Sequence, residues 1–86
     1  MKIEVLKDEK DYLEVMLPGE DLGFANFIVE QLLKSGGVFA AASVDHPIKG
    51  NPVIRIKGKD PKKSLSKAVD AAKKELSSAV AAVKKL

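Results

Sequence analysis

Apolar and polar side chains alternate in two stretches near the start of the chain. Over residues 2–6, Ile3 and Val5 oppose Lys2 and Glu4, and over residues 12–17, Leu13, Val15 and Leu17 oppose Tyr12, Glu14 and Met16. A period of two marks a half-buried strand, and the charged run 7–11 suits a solvated hairpin loop. Pro18 and Gly19 end the second strand, after which the period changes. Residues 22–34 read as a helix, with Asp21 as the N-cap that accepts from free first-turn amides and Ser35, Gly36 and Gly37 as the stop.

That helix is apolar around most of its circumference. Leu22, Phe24, Ala25, Phe27, Ile28, Val29, Leu32 and Leu33 leave polar side chains only at Asn26, Glu30, Gln31 and Lys34. A surface helix normally carries an apolar stripe a little over 100° wide, so this one needs cover on nearly all sides. A domain of this size hides only about 60–65% of the surface its unfolded chain exposes. Either the helix is the centre of an ordinary small core or it is shared with a second chain.

Residues 38–44 form a short apolar run whose alanines, Ala40 to Ala42, would let a helix or a neighbouring subunit approach closely; its length favours a strand. Pro47, Gly50 and Pro52 punctuate the loop that follows, and residues 53–57 alternate again around Ile54 and Ile56, giving a second hairpin. Asp60 and Pro61 then supply an N-cap and a first-turn proline for a final helix. Its apolar residues, Leu65, Val69, Ala72, Leu76, Ala79, Val83 and Leu86, fall at alternating intervals of four and three, a heptad seam. If helical from Pro61 to Leu86, the segment spans about 39 Å, whereas six-residue strands reach only about 20 Å. The seam outruns the sheet, so its far half either packs on another helix or frays. The pattern predicts an α+β fold in a single domain over residues 1–86. Its order is ββαββα: a four-stranded antiparallel sheet, two helices packed on one face, and a long C-terminal helix.

Composition narrows the function classes. The chain has 86 residues and no cysteine, so it offers no disulfide framework, thiolate nucleophile or Cys-based zinc site, and the expected setting is cytoplasmic. No apolar stretch approaches the length that spans a bilayer, and residues 1–10 do not read as a secretory signal. The formal net charge of +3 is unevenly spread: residues 1–50 hold five lysines against nine acids, and residues 51–86 hold ten basic residues against three acids. Such asymmetry marks either a partner-binding surface or the soluble side of a lysine-rich helix.

Several strings occur together: Glu20 and Asp21 at the opening of the first helix, Asn26 within it, Val44-Asp45-His46-Pro47, and Gly50-Asn51-Pro52 running into Val53-Ile54-Arg55-Ile56. With the long helix after Pro61, they resemble the small alpha-like subunits of DNA-directed RNA polymerase, the archaeal subunit L family, related to the dimerisation domain of the bacterial alpha subunit. The family commonly reads E-D-H-T-L-G-N at the opening of the first helix. Here Leu22 and Gly23 replace the His and Thr, so polar contacts from those side chains are unavailable. The resemblance implies a non-catalytic assembly subunit that pairs through its first and last helices with the larger alpha-like RNA polymerase subunit, the one named D in archaea. Through it the chain would join the rest of the polymerase and meet DNA only indirectly. The implied partner-facing residues are Leu22, Phe24, Phe27, Ile28, Leu32, Leu65, Val69, Ala72, Leu76, Ala79 and Val83, divided between the chain's own sheet and the partner.

No pattern in the chain supports catalysis. His46 stands alone between Asp45 and Pro47 in an expected turn, no second His is present, and Ser35 and Ser43 lie in no nucleophile motif. Phosphate-binding glycine motifs are absent, and neither cofactor nor metal is expected. Two other readings stay open. Arg55, Lys57, Lys59, Lys62, Lys63 and Lys67 form a basic cluster that could bind nucleic acid, although Tyr12, Phe24, Phe27 and Phe39 all lie outside it in sequence. Alternatively, the same helices could build a homodimer of the isolated chain.

Overall fold

The computed structural model describes residues 2–44 and 50–86. Its elements are β1 (Glu4–Glu9), β2 (Tyr12–Met16), α1 (Leu22–Ser35), β3 (Val38–Ser43), β4 (Val53–Gly58) and α2 (Pro61–Lys84). The order is the predicted ββαββα. The four strands form one antiparallel sheet in the order β1-β2-β4-β3.

Register explains where the core sits. Leu13 of β2 lies opposite Ile56 of β4, which lies opposite Ala40 of β3; one step along, Val15, Ile54 and Ala42 form a second row. Alternation puts both rows on the same face. Onto them α1 lowers Ala25, Ile28, Val29 and Leu32, and α2 lowers Leu65, Ala68, Val69 and Ala72. The molecule measures 45 × 33 × 16 Å, its short axis being that of two layers.

The first hairpin departs from the predicted boundaries. Residues 7–9, expected in a loop, belong to β1, where Asp8 pairs with Leu13 and Glu9 with Tyr12. The ladder shifts between Val5 and Lys7, and this irregularity reverses the alternation that a strict period of two would show. β1 is exposed along its whole length; it lies at the edge away from α1, which packs over the other edge strand, β3.

The two helix starts also differ. Asp21 caps α1 as expected, its Oδ1 accepting from the Phe24 amide at 2.7 Å. Asp60 makes no side-chain cap bond; it takes a left-handed conformation with φ 50, and its carbonyl accepts from the Ser64 amide at 3.1 Å. The chain must reverse direction between Gly58 and Pro61, and that turn fixes the Asp60 backbone. Gly58 itself has φ 144, and a Cβ there would stand 2.7 Å from the Gly37 carbonyl oxygen. The close approach of β3's start to β4's end therefore requires glycine.

Candidate functional site

The most informative surface is the one the chain fails to cover. α2 has 24 residues, about 36 Å, yet its last buried residue is Ala72. The remaining twelve helical residues, 73–84, project about 18 Å with every side chain exposed. Near the departure point Gln31 of α1 donates to Glu75 of α2 at 2.7 Å.

Along this overhang Leu76, Ala79, Val80 and Val83 recur at helical spacing and line shallow apolar depressions. Leu76 is 45% exposed, Val80 55% and Val83 66%. Fully burying each such side chain is worth roughly 1.5–3 kcal/mol, so the stripe carries a substantial driving force for association. The heptad seam omitted Val80, because a strict alternation of four and three takes only one residue of each adjacent i+3, i+4 pair.

The other predicted interface residues divide cleanly. Ile28, Leu32, Leu65, Val69 and Ala72 are buried in the chain's own core. Phe24 and Phe27 are partly buried against that core and partly open. Leu22 is 39% exposed, and Leu33, absent from the predicted interface, is 49% exposed. Replacing Ile28 with Asp would therefore damage the fold rather than test a contact.

Among the motif residues, Asn51 Oδ1 accepts from the Gly19 amide at 3.2 Å, and the Pro52 carbonyl accepts from the Leu17 amide at 2.9 Å. Pro52 is buried. Together these contacts tie the exit of β2, and so the start of α1, to the start of β4. Gly50 has φ 65. Glu20 donates its amide to the Leu17 carbonyl at 3.2 Å, and Asn26 is exposed on α1. Asp45, His46 and Pro47 lie outside the described residues.

The opposite face of the sheet is polar. Tyr12 donates to Glu14, whose carboxylate also meets Arg55 Nε at 3.4 Å; Arg55 donates in turn to Ser43 Oγ at 2.8 Å. The bond to Glu14, with desolvation and that carboxylate's charge, raises the Tyr12 phenol above its ordinary value of 10.0. Folding changes the picture of the basic cluster. Lys57 pairs with both Tyr12 and Phe39, which places two aromatics beside it that are distant in sequence. However, Arg55 is paired with Glu14 and Lys62 with Asp8, so the cluster is partly neutralised. Among the described residues no group of acids and histidines could hold a metal ion, and no helix is long and apolar enough to cross a membrane.

Comparisons with known proteins agree with this geometry. The RNA polymerase Rpb3/Rpb11 dimerisation domain model matches residues 12–81. DNA-directed RNA polymerase subunit Rpo11 of Methanothermobacter thermautotrophicus is 38% identical over 69 residues, covering 79% of this chain and 81% of that protein. The Pyrococcus abyssi protein of the same name is 51% identical over 49 residues, covering 56% of this chain and only about half, 52%, of its own length. A crystal structure of DNA-directed RNA polymerase subunit L from Thermoplasma acidophilum superposes with a TM-score of 0.79 at 25% identity, covering 98% of this chain and 86% of that one. A match across most of the chain, the shared fold and an apolar helical surface left without cover lead to one assignment: the chain belongs to the RNA polymerase Rpb3/Rpb11 dimerisation domain family.

Proposed function

We propose that the chain is a non-catalytic assembly subunit of DNA-directed RNA polymerase that pairs with the larger alpha-like subunit, the one named D in archaea. The observation that carries this reading is the α2 overhang with its Leu76, Ala79, Val80 and Val83 stripe. Helices of this composition are marginal alone and gain stability chiefly by packing an apolar face. A partner helix laid along the stripe, reaching the open sides of Phe24 and Phe27, would cover what the chain's own sheet cannot. The family description, a dimerisation domain, supports the same role. The pair would then serve as a platform for the large subunits, and the chain would contribute position rather than chemistry to nucleotidyl transfer.

Co-expression with the larger alpha-like subunit tests the reading. Leu76→Asp combined with Val80→Asp changes only exposed side chains beyond the last buried residue of α2, so the monomer keeps its melting curve, while circular dichroism registers only added fraying of the overhang. Recovery of the complex falls about 100-fold or more, because buried anchors of an interface each carry about 2 kcal/mol or more. Undiminished pairing of that folded variant would sink the proposal.

A further inference from the structure

α2 contains an internal repeat of eleven residues. Residues 62–72 read Lys-Lys-Ser-Leu-Ser-Lys-Ala-Val-Asp-Ala-Ala and residues 73–83 read Lys-Lys-Glu-Leu-Ser-Ser-Ala-Val-Ala-Ala-Val, identical at seven of the eleven positions. Lys84 and Lys85 give the opening pair once more. Eleven residues make three helical turns with only about 20° left over, so equivalent positions share one face of the helix.

The two copies have different surroundings. In the first, Leu65, Ala68, Val69 and Ala72 are buried in the chain's own core, and Lys62, at the border of that face, pairs with Asp8 of β1. In the second, the equivalent Leu76, Ala79, Val80 and Val83 stand in solvent. Lys73 is the counterpart of Lys62, and Lys84 follows after eleven more. Among the described residues neither makes an ion pair or a hydrogen bond, and Asp70, one turn before Lys73, makes none either.

Placement around the helix separates these two lysines from their neighbours. At 100° per residue Lys73 lies about 60° from Leu76 and Lys84 about 40° from Val80, on the same border of the apolar stripe. Lys74 and Lys85 lie roughly 140–160° from the same two side chains, on the solvent side. The stripe's other border holds Ala82 and Glu75, the latter bonded to Gln31.

We infer that the larger alpha-like subunit docks on the second repeat as the chain's own core docks on the first, with an apolar face bordered by carboxylates opposite Lys73 and Lys84. The repeat selects this chemistry. Both copies present the same apolar face and the same bordering cation, and the copy whose contacts are complete sets an aspartate against that cation. A second copy of the chain is the poorer occupant: when two overhangs pair antiparallel about a two-fold axis, their lysine borders adjoin, and like charges disfavour the contact. This assignment rests on the proposed pairing with the larger alpha-like subunit and adds the charge that its docking surface carries.

The test measures the dissociation constant of the full chain with the larger alpha-like subunit at low and high salt. Lys73→Glu with Lys84→Glu is expected to weaken binding about tenfold at low salt, with the deficit shrinking as salt rises. Lys74→Glu with Lys85→Glu changes the net charge equally, on the solvent side, and is expected to alter binding less than about threefold. All four positions are exposed beyond Ala72, so the fold is retained. Carbodiimide, which joins an amine to a carboxylate in contact with it, is expected to link Lys73 or Lys84 to an acid of the larger subunit, with the Lys62–Asp8 link as internal standard. Equal effects of the two lysine pairs, no effect of either, or no link from Lys73 or Lys84 while Lys62 couples to Asp8 would overturn the inference. Leu76→Asp with Val80→Asp tells the two ideas apart. If it breaks pairing while the lysine pairs act alike, the helical contact stands and the charged border falls; if pairing survives it, both fall.

Discussion

Asp21 shows how much a single side chain decides. Its Oδ1 satisfies the Phe24 amide at the start of α1, and Asp21→Ala is expected to cost about 1 kcal/mol. In a chain of this length that lowers Tm by about 4–8 °C, measurable by thermal unfolding. Ile28 is fully buried at the centre of the same helix, and Ile28→Ala is expected to cost about 2–5 kcal/mol in denaturant titrations. Tyr12 provides a pH signature. Its hydrogen bond to Glu14 favours the neutral phenol and raises its pKa in the folded state. The associated stability is therefore complete below the unfolded value near 10 and is lost as pH rises through the folded value. Ultraviolet titration of the phenolate should give a midpoint above 10.0, and Glu14→Gln should move it back.

Among the elements, α2 behaves as two pieces. Residues 61–72 are anchored by Pro61, Leu65, Ala68, Val69 and Ala72, whereas everything beyond is in solvent. In the isolated chain, amides of residues 73–84 should therefore exchange much faster than those of the anchored half. Binding the larger alpha-like subunit should slow them selectively; exchange in the overhang unchanged by the partner would count against the stripe as its contact. The strands show the reverse asymmetry. β2 and β4 carry the buried rows, while the edge strands β1 and β3 differ in how they treat solvent, one charged and irregular, the other plain.

At the scale of the whole molecule, two layers with a 16 Å short axis cannot enclose a helix that runs well past the sheet. Pairing should thus stabilise the fold by mass action, with the Tm of the chain rising as the larger alpha-like subunit is added in excess. Much of this architecture was legible in the sequence. Periods of two and 3.6, the Asp21 cap, the Gly36-Gly37 stop and Pro61 are local signals, and they set the order of elements because backbone propensity and capping act over a few residues. The excess of apolar surface was legible too, as the ratio of helix length to strand length. What only the tertiary structure decided was allocation. Periodicity put Leu65 and Leu76 on one seam, yet the first is buried and the second open, because the sheet ends between them. Likewise Tyr12, Lys57 and Phe39 became neighbours through register, and Leu33 became a surface residue through the placement of α1 over β3. Those outcomes depend on pairings between distant segments, and no window of sequence contains them.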